Sequence, residues 1–156
     1  MGEAERRDDG VGLGAGTVGS IASVPMSRVI HQLSVIRSFR DGRPLDVVQV
    51  MSPAWAEVEY AIRRMDNDGL PLAQLIPSAE EEDENALNII GGAGRWALFQ
   101  MTGKWRYEAP LGGVGEVRLW EHGQVYRCQE RHVLTDVEAV LDIVRTFYQT
   151  ADYGRL

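Results

Sequence analysis

Two amphipathic helical patterns stand among a series of short strand-like segments, and this order constrains the fold more than any other feature. The second pattern is the clearer one. Its start, Thr135-Asp136-Val137-Glu138, predicts a capping box in which Thr135 and Glu138 satisfy free backbone donors. The later apolar positions are spaced by three and four, as in a helix with one buried face: Val137, Val140, Leu141, Val144, Phe147, Tyr148 and Ala151.

The first helical pattern begins at Ser52-Pro53, since serine can cap free N–H groups and proline is tolerated in the first turn. The segment 66–69, with the sequence Asp-Asn-Asp-Gly, predicts the end of this helix. The apolar residues between them lie at helical spacing and predict one buried stripe: Trp55, Val58, Ile62 and Met65.

The other apolar segments are short and are separated by turn signals, which is typical of strands joined by hairpins. They cover residues 28–39, Leu45–Met51, Leu72–Ile76, Leu87–Ile90, Trp96–Met101, Trp105–Tyr107, Glu116–Glu121 and Gln124–Arg131. Consecutive strands with short connections favour an antiparallel sheet. We therefore predict an α+β fold, with an antiparallel sheet of about five to seven strands and two helices packed mainly on one face.

Length and composition fit one domain with an N-terminal tail. Residues 1–24 are Gly-rich and polar and bury too little to offset the entropy of ordering, so we expect a flexible tail. Residues 25–156 are predicted to form a single α+β domain. The chain has 156 residues, of which 44% are hydrophobic, and this is enough for one core without disulfides or a metal.

The sequence also predicts a cytoplasmic protein without a membrane partner. Its single cysteine, Cys128, excludes an internal disulfide and fits a reducing compartment. No apolar run approaches the roughly 20 residues that span a bilayer. Acidic residues such as Glu3 and Glu5 occupy the place where a signal peptide carries positive charge.

The net charge of −7 comes entirely from residues 52–156, which hold ten basic and seventeen acidic side chains. An acidic domain repels phosphate backbones, so direct nucleic-acid binding is disfavoured. A basic protein partner is favoured instead, because complementary charge accelerates and orients such an association.

Two glycine-rich segments resemble nucleotide-binding motifs without their required context. The run Gly14–Gly19 spells G-x-G-x-x-G, but a polar tail precedes it and Pro25 interrupts the segment after it, so no dinucleotide site is expected. The run Gly91–Gly94 lacks the Lys-Ser/Thr of a phosphate loop. We interpret it as a tight connection between two strands that requires positive φ angles.

No metal, cofactor or catalytic group is expected. His31, His122 and His132 are scattered, and the acids that begin at Glu80 lack the glycine of a calcium loop. Cys128 and His132 could pair as nucleophile and base, but in a continuous strand they would lie some 13 Å apart.

Four aromatic residues lie on strands whose two faces cannot both be covered by two helices. Exposed Trp and Tyr favour a binding surface, and simple packing within the sheet is the equal alternative. The residues concerned are Trp105, Tyr107, Trp120 and Tyr126.

The stretch from Leu45 to Tyr153 resembles the first immunity-protein family of bacterial polymorphic toxin systems. The similarity rests on an ordered series of short motifs: Pro53-Ala54-Trp55, then residues 83–92 (DENALNIIGG), Trp105 and Tyr107, residues 117–121 (VRLWE), Gly123-Gln124, Tyr126, Phe147 and Gly154.

This resemblance implies a non-enzymatic α+β protein that binds and neutralises a toxin domain encoded nearby, often a nucleic-acid deaminase or nuclease. An acidic inhibitor would cover the basic substrate groove of such a toxin. The residues predicted to contact the partner are Glu80, Glu81, Glu82, Asp83, Glu84, Trp105, Tyr107, Glu116, Trp120 and Glu121.

Two alternatives remain open. One is a small-ligand-binding or enzymatic domain with a pocket near Gly91–Gly94 and Trp105. The other is a structural module that forms homo-oligomers.

Overall fold

The computed structural model describes residues 29–79 and 84–156 and has the α+β architecture expected from the sequence. The tail 1–24, its Gly14–Gly19 run and the acids 80–83 lie outside the described residues. No helix in the described ranges is long and apolar enough to cross a membrane. The strands are β1 (Gln32–Arg37), β2 (Asp46–Met51), β3 (Leu72–Ile76), β4 (Leu87–Gly92), β5 (Arg95–Gln100), β6 (Glu116–Leu119), β7 (Tyr126–Gln129) and β8 (Val133–Leu134), and the helices are α1 (Trp55–Arg64) and α2 (Val137–Thr150).

Six strands form one antiparallel sheet in the order β2-β1-β3-β4-β5-β8, and β6 pairs with β7 in a separate hairpin. The predicted antiparallel sheet and its range of strand numbers are therefore confirmed. Strand β2 forms one edge of the large sheet, and β8 forms the other.

Both helices lie on the same face of the large sheet, as predicted. α1 packs against α2 and β4, and α2 packs against β8. Alternate residues of the central strands point into this layer because side chains in a strand alternate between faces. The buried members of this main core are Ile30, Leu33, Val58, Ile62, Met65, Ala73, Leu75, Leu87, Ile89, Trp96, Leu98, Leu134, Val140, Leu141, Val144 and Phe147.

The β6–β7 hairpin covers part of the opposite face and completes a second, smaller core. Its buried residues are Ile36, Ile90, Ala97, Val117, Leu119, Trp120 and Cys128. Tyr126 stacks on Phe99 of β5 with ring centroids 4.7 Å apart, which joins the hairpin to the sheet. The two helices do not cover this face. The hairpin covers part of it instead and brings Trp120 and Tyr126 into the second core.

Both predicted helix caps are wrong by one or two residues. Ser52 has a φ of 48° and its N–H bonds to His31 O, so it still belongs to the end of the sheet. The N-cap of α1 is Ala54, whose N–H donates to Glu57 Oε2 at 2.7 Å. In α2 the cap is Asp136, whose Oδ1 accepts the Glu138 N–H at 3.0 Å, in place of Thr135.

The predicted strand Trp105–Tyr107 is shorter than expected. It makes one isolated bridge, between Arg106 and Phe99, supported by the bonds from Gln100 N to Trp105 O and from Tyr107 N to Leu98 O. The chain turns away after Tyr107 because the next loop packs on residues near Arg131.

The end of α1 and the β4–β5 hairpin meet at a backbone-to-backbone junction. Gly92 bridges Asp66, and Asn67 N donates to Gly91 O at 2.9 Å. Both glycines have positive φ, near 120°, and a Cβ on Gly92 would collide with the Met65 carbonyl group. This junction therefore requires glycine both for its conformation and for its space, and it supports the structural interpretation of the Gly91–Gly94 run.

We predict that Gly92→Ala lowers the free energy of unfolding by about 3 kcal/mol, since the new Cβ adds backbone strain and overpacks the junction. Urea denaturation of the purified chain measures this change. Gly69→Ala is the matched control, because a Cβ there makes only ordinary contact with Asp66 and should cost less than about 1 kcal/mol. Equal losses in the two variants would contradict a special role for Gly92.

Candidate functional site

Of the residues predicted to contact a partner, residues 80–83 lie outside the described ranges, and the others do not lie together. Glu84 is exposed beside Asn85, whose backbone O accepts a hydrogen bond from Tyr153 at 2.9 Å. The Tyr153 ring lies 5.5 Å from the ring of Trp105, so Glu84 and Trp105 share one end. Both Trp105 and Tyr107 are half-buried and pack against the main core.

Trp120 lies at the opposite end and is a core residue in this structure, with 2% of its surface exposed. Its backbone N–H donates to Asn67 Oδ1 at 2.7 Å, and its indole Nε1 donates to Ser38 Oγ at 3.2 Å. These bonds hold the end of β6 against the α1 junction. A direct contact between Trp120 and a partner therefore does not fit its burial, although its neighbour Glu121 is exposed.

Glu116 is exposed but already has a partner. Its Oε1 lies 2.8 Å from Arg118 Nε, and this bond holds the pKa of the Glu116 carboxyl below its usual range. The contribution of this acid to a contact with another protein would therefore be reduced by its neighbour. The structure does not combine Glu84, Glu116 and Glu121 into one acidic patch with the predicted aromatics.

A different surface has the shape expected of a docking site. A groove of about 650 Å³ runs along the helix face between β2 and α1, and we refer to it as the β2–α1 groove. Its floor is apolar and comes from two paired strands: Leu33 and Val35 of β1, and Val48 and Val50 of β2. Its wall and ends are more polar and come from Arg37, Ser38, Phe39, Glu57, Tyr60, Ala61, Arg64, Asp66, Gly69 and Leu70.

Exposed apolar side chains are concentrated on and beside β2, on both faces of the sheet. Nine large hydrophobic residues are exposed in the described ranges, and five of them belong to the β2 segment or to the adjoining side of α1. Their exposed fractions run from 44% for Val48 to 62% for Tyr60. Val48 and Tyr60 line the groove, whereas Val47 and Met51 alternate with Val48 and lie on the opposite face of β2. The five are Leu45, Val47, Val48, Met51 and Tyr60.

The outer edge of β2 is also open for strand pairing. It is the edge strand of the large sheet, so within residues 29–79 and 84–156 no strand pairs with the backbone N–H and C=O groups on its outer side. Natural edge strands are usually protected by lysine, proline or a bulge. The six residues of β2 include one charged side chain, Asp46, and no lysine or proline.

Ion pairs lie at the ends of the groove rather than along its floor. Arg37 pairs with Asp46 at 3.6 Å, and the Arg64 guanidinium lies 5.1 Å from the centre of the Tyr60 ring. Outside the groove lining, Arg40 Nε lies 3.0 Å from each carboxylate oxygen of Asp68, and this hydrogen bonding lowers the pKa of the Asp68 carboxyl. Of these charged residues, Arg37 and Arg64 line the groove beside its apolar floor.

The sequence predicted the strand at β2 but not its role as an exposed surface. The available signal was its composition, since residues 45–51 (LDVVQVM) place apolar side chains on both faces of the strand. A strand buried on both sides has the same pattern. Only the sheet order shows that this strand is at an edge.

The alternative ligand pocket near Gly91–Gly94 is not supported by the packing there. Gly91 and Gly92 are both buried. Gly91 lies against the backbone of β5, and Gly92 lies against the end of α1. Neither the β2–α1 groove nor the smaller cavity beside β7 is lined by these glycines.

Cys128 and His132 are closer in the fold than a continuous strand would place them. β7 ends at Gln129 and a 3-10 turn, Glu130–His132, folds back, so both side chains line one small cavity. Burial raises the pKa of the Cys128 thiol, which favours the protonated form over the nucleophilic thiolate. Within the described ranges, no group of three or more His, Cys, Asp or Glu side chains could hold a metal ion.

No protein-family model, curated protein or solved structure matches this chain. The groove and the cavity are therefore interpreted from their own geometry and chemistry.

We predict that the buried His132 makes folding less favourable at acidic pH. Burial lowers the pKa of its imidazole from 6.5, and the nearby Arg106 and Arg131 lower it further, whereas Glu108 opposes them. Because the folded pKa lies below the unfolded one, the stability contributed by neutral His132 is present above pH 6.5 and is lost as the pH falls below it.

Urea denaturation at several pH values between about 7 and about 5 measures this dependence, which spans the ordinary titration range of histidine. His132→Gln should flatten the profile in this interval. His122→Gln removes an exposed imidazole and is the matched control, which should retain the profile of the natural chain. An unchanged profile in His132→Gln would show that another group causes the acid sensitivity.

Proposed function

We propose that this chain is a non-catalytic immunity protein that binds a basic bacterial toxin domain and blocks its active site. In this proposal the β2–α1 groove receives an apolar segment of the toxin, and the open edge of β2 pairs with its backbone. The observation that carries the proposal is the apolar floor of the groove beside β2, the edge strand of the described sheet.

The groove offers two kinds of contact to such a segment. Val48 and Val50 provide an apolar floor, and the outer backbone groups of β2 provide hydrogen-bonding partners at regular spacing. Addition of a strand to a sheet edge combines these contacts, because the backbone bonds give affinity and the side-chain pockets give specificity. Tyr60, which is 62% exposed on the facing side of α1, is suited to be an aromatic anchor.

Charge supports a basic partner. The chain has a net charge of −7, so its long-range field attracts a positively charged domain and increases the rate of encounter. The floor of the groove is apolar, and Arg37 of its lining pairs with Asp46. In this proposal the net negative charge of the chain attracts the toxin domain, and the groove provides the contact that holds the complex together.

The choice of a toxin as the partner rests on the resemblance of short motifs in residues 45–153 to those of polymorphic-toxin immunity proteins. Deaminase and nuclease toxins bind nucleic acid through basic grooves, and an acidic protein can occupy such a groove without being a substrate. Inhibition by occupancy requires a stoichiometric complex and no chemistry from the inhibitor. The exposed acids Glu84 and Glu121 remain candidates for contact with basic side chains at the rim.

We predict that Val48→Lys weakens binding to the toxin domain encoded beside this chain by at least roughly tenfold, because a charge enters the apolar floor of the groove. Calorimetric titration of the purified toxin domain with each variant measures the affinity. Leu111→Lys is the matched control, since it places the same charge on a fully exposed side chain outside the groove. That variant should bind like the natural chain.

Three results would contradict the proposal. The toxin domain could fail to co-purify with the natural chain, or the two lysine variants could bind equally well. Light scattering could also show a dimer that Val48→Lys dissociates, and the groove would then be occupied by a second copy. A binding rate that does not decrease with added salt would contradict the electrostatic part of the proposal alone.

A further inference from the structure

A second cavity, of about 390 Å³, lies at the other edge of the molecule and has the opposite chemistry to the groove. It is bordered by the β6–β7 hairpin, the 3-10 turn after β7 and the segment that bridges β5. We refer to it as the arginine cavity because three arginines line it. The lining residues are Arg106, Val114, Glu116, Arg127, Cys128, Gln129, Arg131 and His132.

The positive charge of this cavity is only partly neutralised. Within the described ranges, Arg106 and Arg127 make no ion pair, whereas Arg131 Nε lies 3.4 Å from Glu108 Oε1. Glu116, the one acid of the lining, is held by Arg118 at 2.8 Å. The cavity lining is therefore positively charged, whereas the chain as a whole has a net charge of −7.

His132 adds a buried donor that has no acceptor. Its Nδ1 accepts the Gln129 N–H at 3.2 Å, so the neutral ring carries its proton on Nε2. The residue is 3% exposed, and Nε2 has no hydrogen-bond partner. Arg131 Nε is also buried without a hydrogen-bond partner, despite its proximity to Glu108. Buried donors without acceptors are rare in folded proteins and require an explanation.

One wall of the cavity depends on a close backbone approach. The loop after Tyr107 lies directly on the 3-10 turn: Ala109 N donates to Arg131 O, and Arg131 N donates to Gly113 O. A Cβ on Gly112 would collide with the Arg131 backbone. This packing fixes the backbone of Arg131 and places Val114 in the lining.

We infer that the arginine cavity binds a small oxyanion of the phosphate class, through the guanidinium groups of Arg106, Arg127 and Arg131. Arginine suits phosphate because its planar fork can donate two parallel hydrogen bonds. This inference is independent of the proposed toxin binding.

Calorimetric titration of the full chain with inorganic phosphate, at constant low ionic strength, tests the inference. We expect saturable binding at a single site, and Arg127→Gln should weaken it roughly tenfold, the loss expected when one charge-assisted bond is removed. Arg95→Gln is the matched control, because it removes an exposed arginine outside the cavity. It should leave the affinity within about twofold of the natural value, as for other exposed charges.

Two further probes distinguish the source of the phosphate group. Tighter binding of glycerol 3-phosphate than of inorganic phosphate would assign the site to a phosphorylated small molecule, and the reverse order would assign it to free phosphate. Either order supports the inference. Absence of saturable binding to both probes would overturn it, as would equal losses in Arg127→Gln and Arg95→Gln.

A measurement on the natural chain covers the case in which Arg127→Gln fails to fold. Nuclear magnetic resonance of the imidazole nitrogens reports on His132 directly, and phosphate should shift its Nε2 signal with the same saturation curve as calorimetry. His122, exposed in the turn between β6 and β7, is the internal reference. Equal shifts at both histidines would show a general effect of salt and would overturn the site.

Discussion

The helix face of this protein depends on the junction between the end of α1 and the glycines of the β4–β5 hairpin. Gly92 lies so close to Met65 that no side chain fits between them, and Asn67 connects this junction to Gly91 and to Trp120. The junction therefore joins one helix, the middle of the large sheet and the end of the β6–β7 hairpin. Because it fixes α1 against β4, it also determines which strands the helices cover.

The position of α1 explains why a groove remains. Six strands at a spacing of about 4.8 Å span about 24 Å between the outer strands, whereas two adjacent helices about 10 Å wide cover about 20 Å. α2 packs at the β8 side and α1 packs near the centre, so the uncovered strip falls at β2. The exposure of Val48 and the partial exposure of Val50 are consequences of this arrangement. A partner segment in the groove would complete the layer.

Local patterns predicted most of the fold, and contacts distant in sequence explain what they missed. β3 was predicted with its observed bounds, and the apolar spacing after Thr135 predicted α2 because both signals lie within the element itself. The sequence left burial and exposure of Trp120 as equal alternatives, since its burial depends on Asn67 and Ser38, more than fifty residues away. The edge position of β2 and the cavity shared by Cys128 and His132 were missed for the same reason, because sheet order and the 3-10 turn determine them.

The two proposed binding regions lie at opposite edges of the sheet and differ in chemistry. The β2–α1 groove has an apolar floor on the helix face, whereas the arginine cavity is polar and lies beside the β6–β7 hairpin. β2 and β5 are four strands apart, a separation of about 19 Å at the usual spacing. A bound phosphate is therefore too distant and too strongly screened to alter groove contacts by charge alone. Any coupling between the two regions would therefore require the α1 junction to move. The close packing of Gly92 against Met65 opposes that movement.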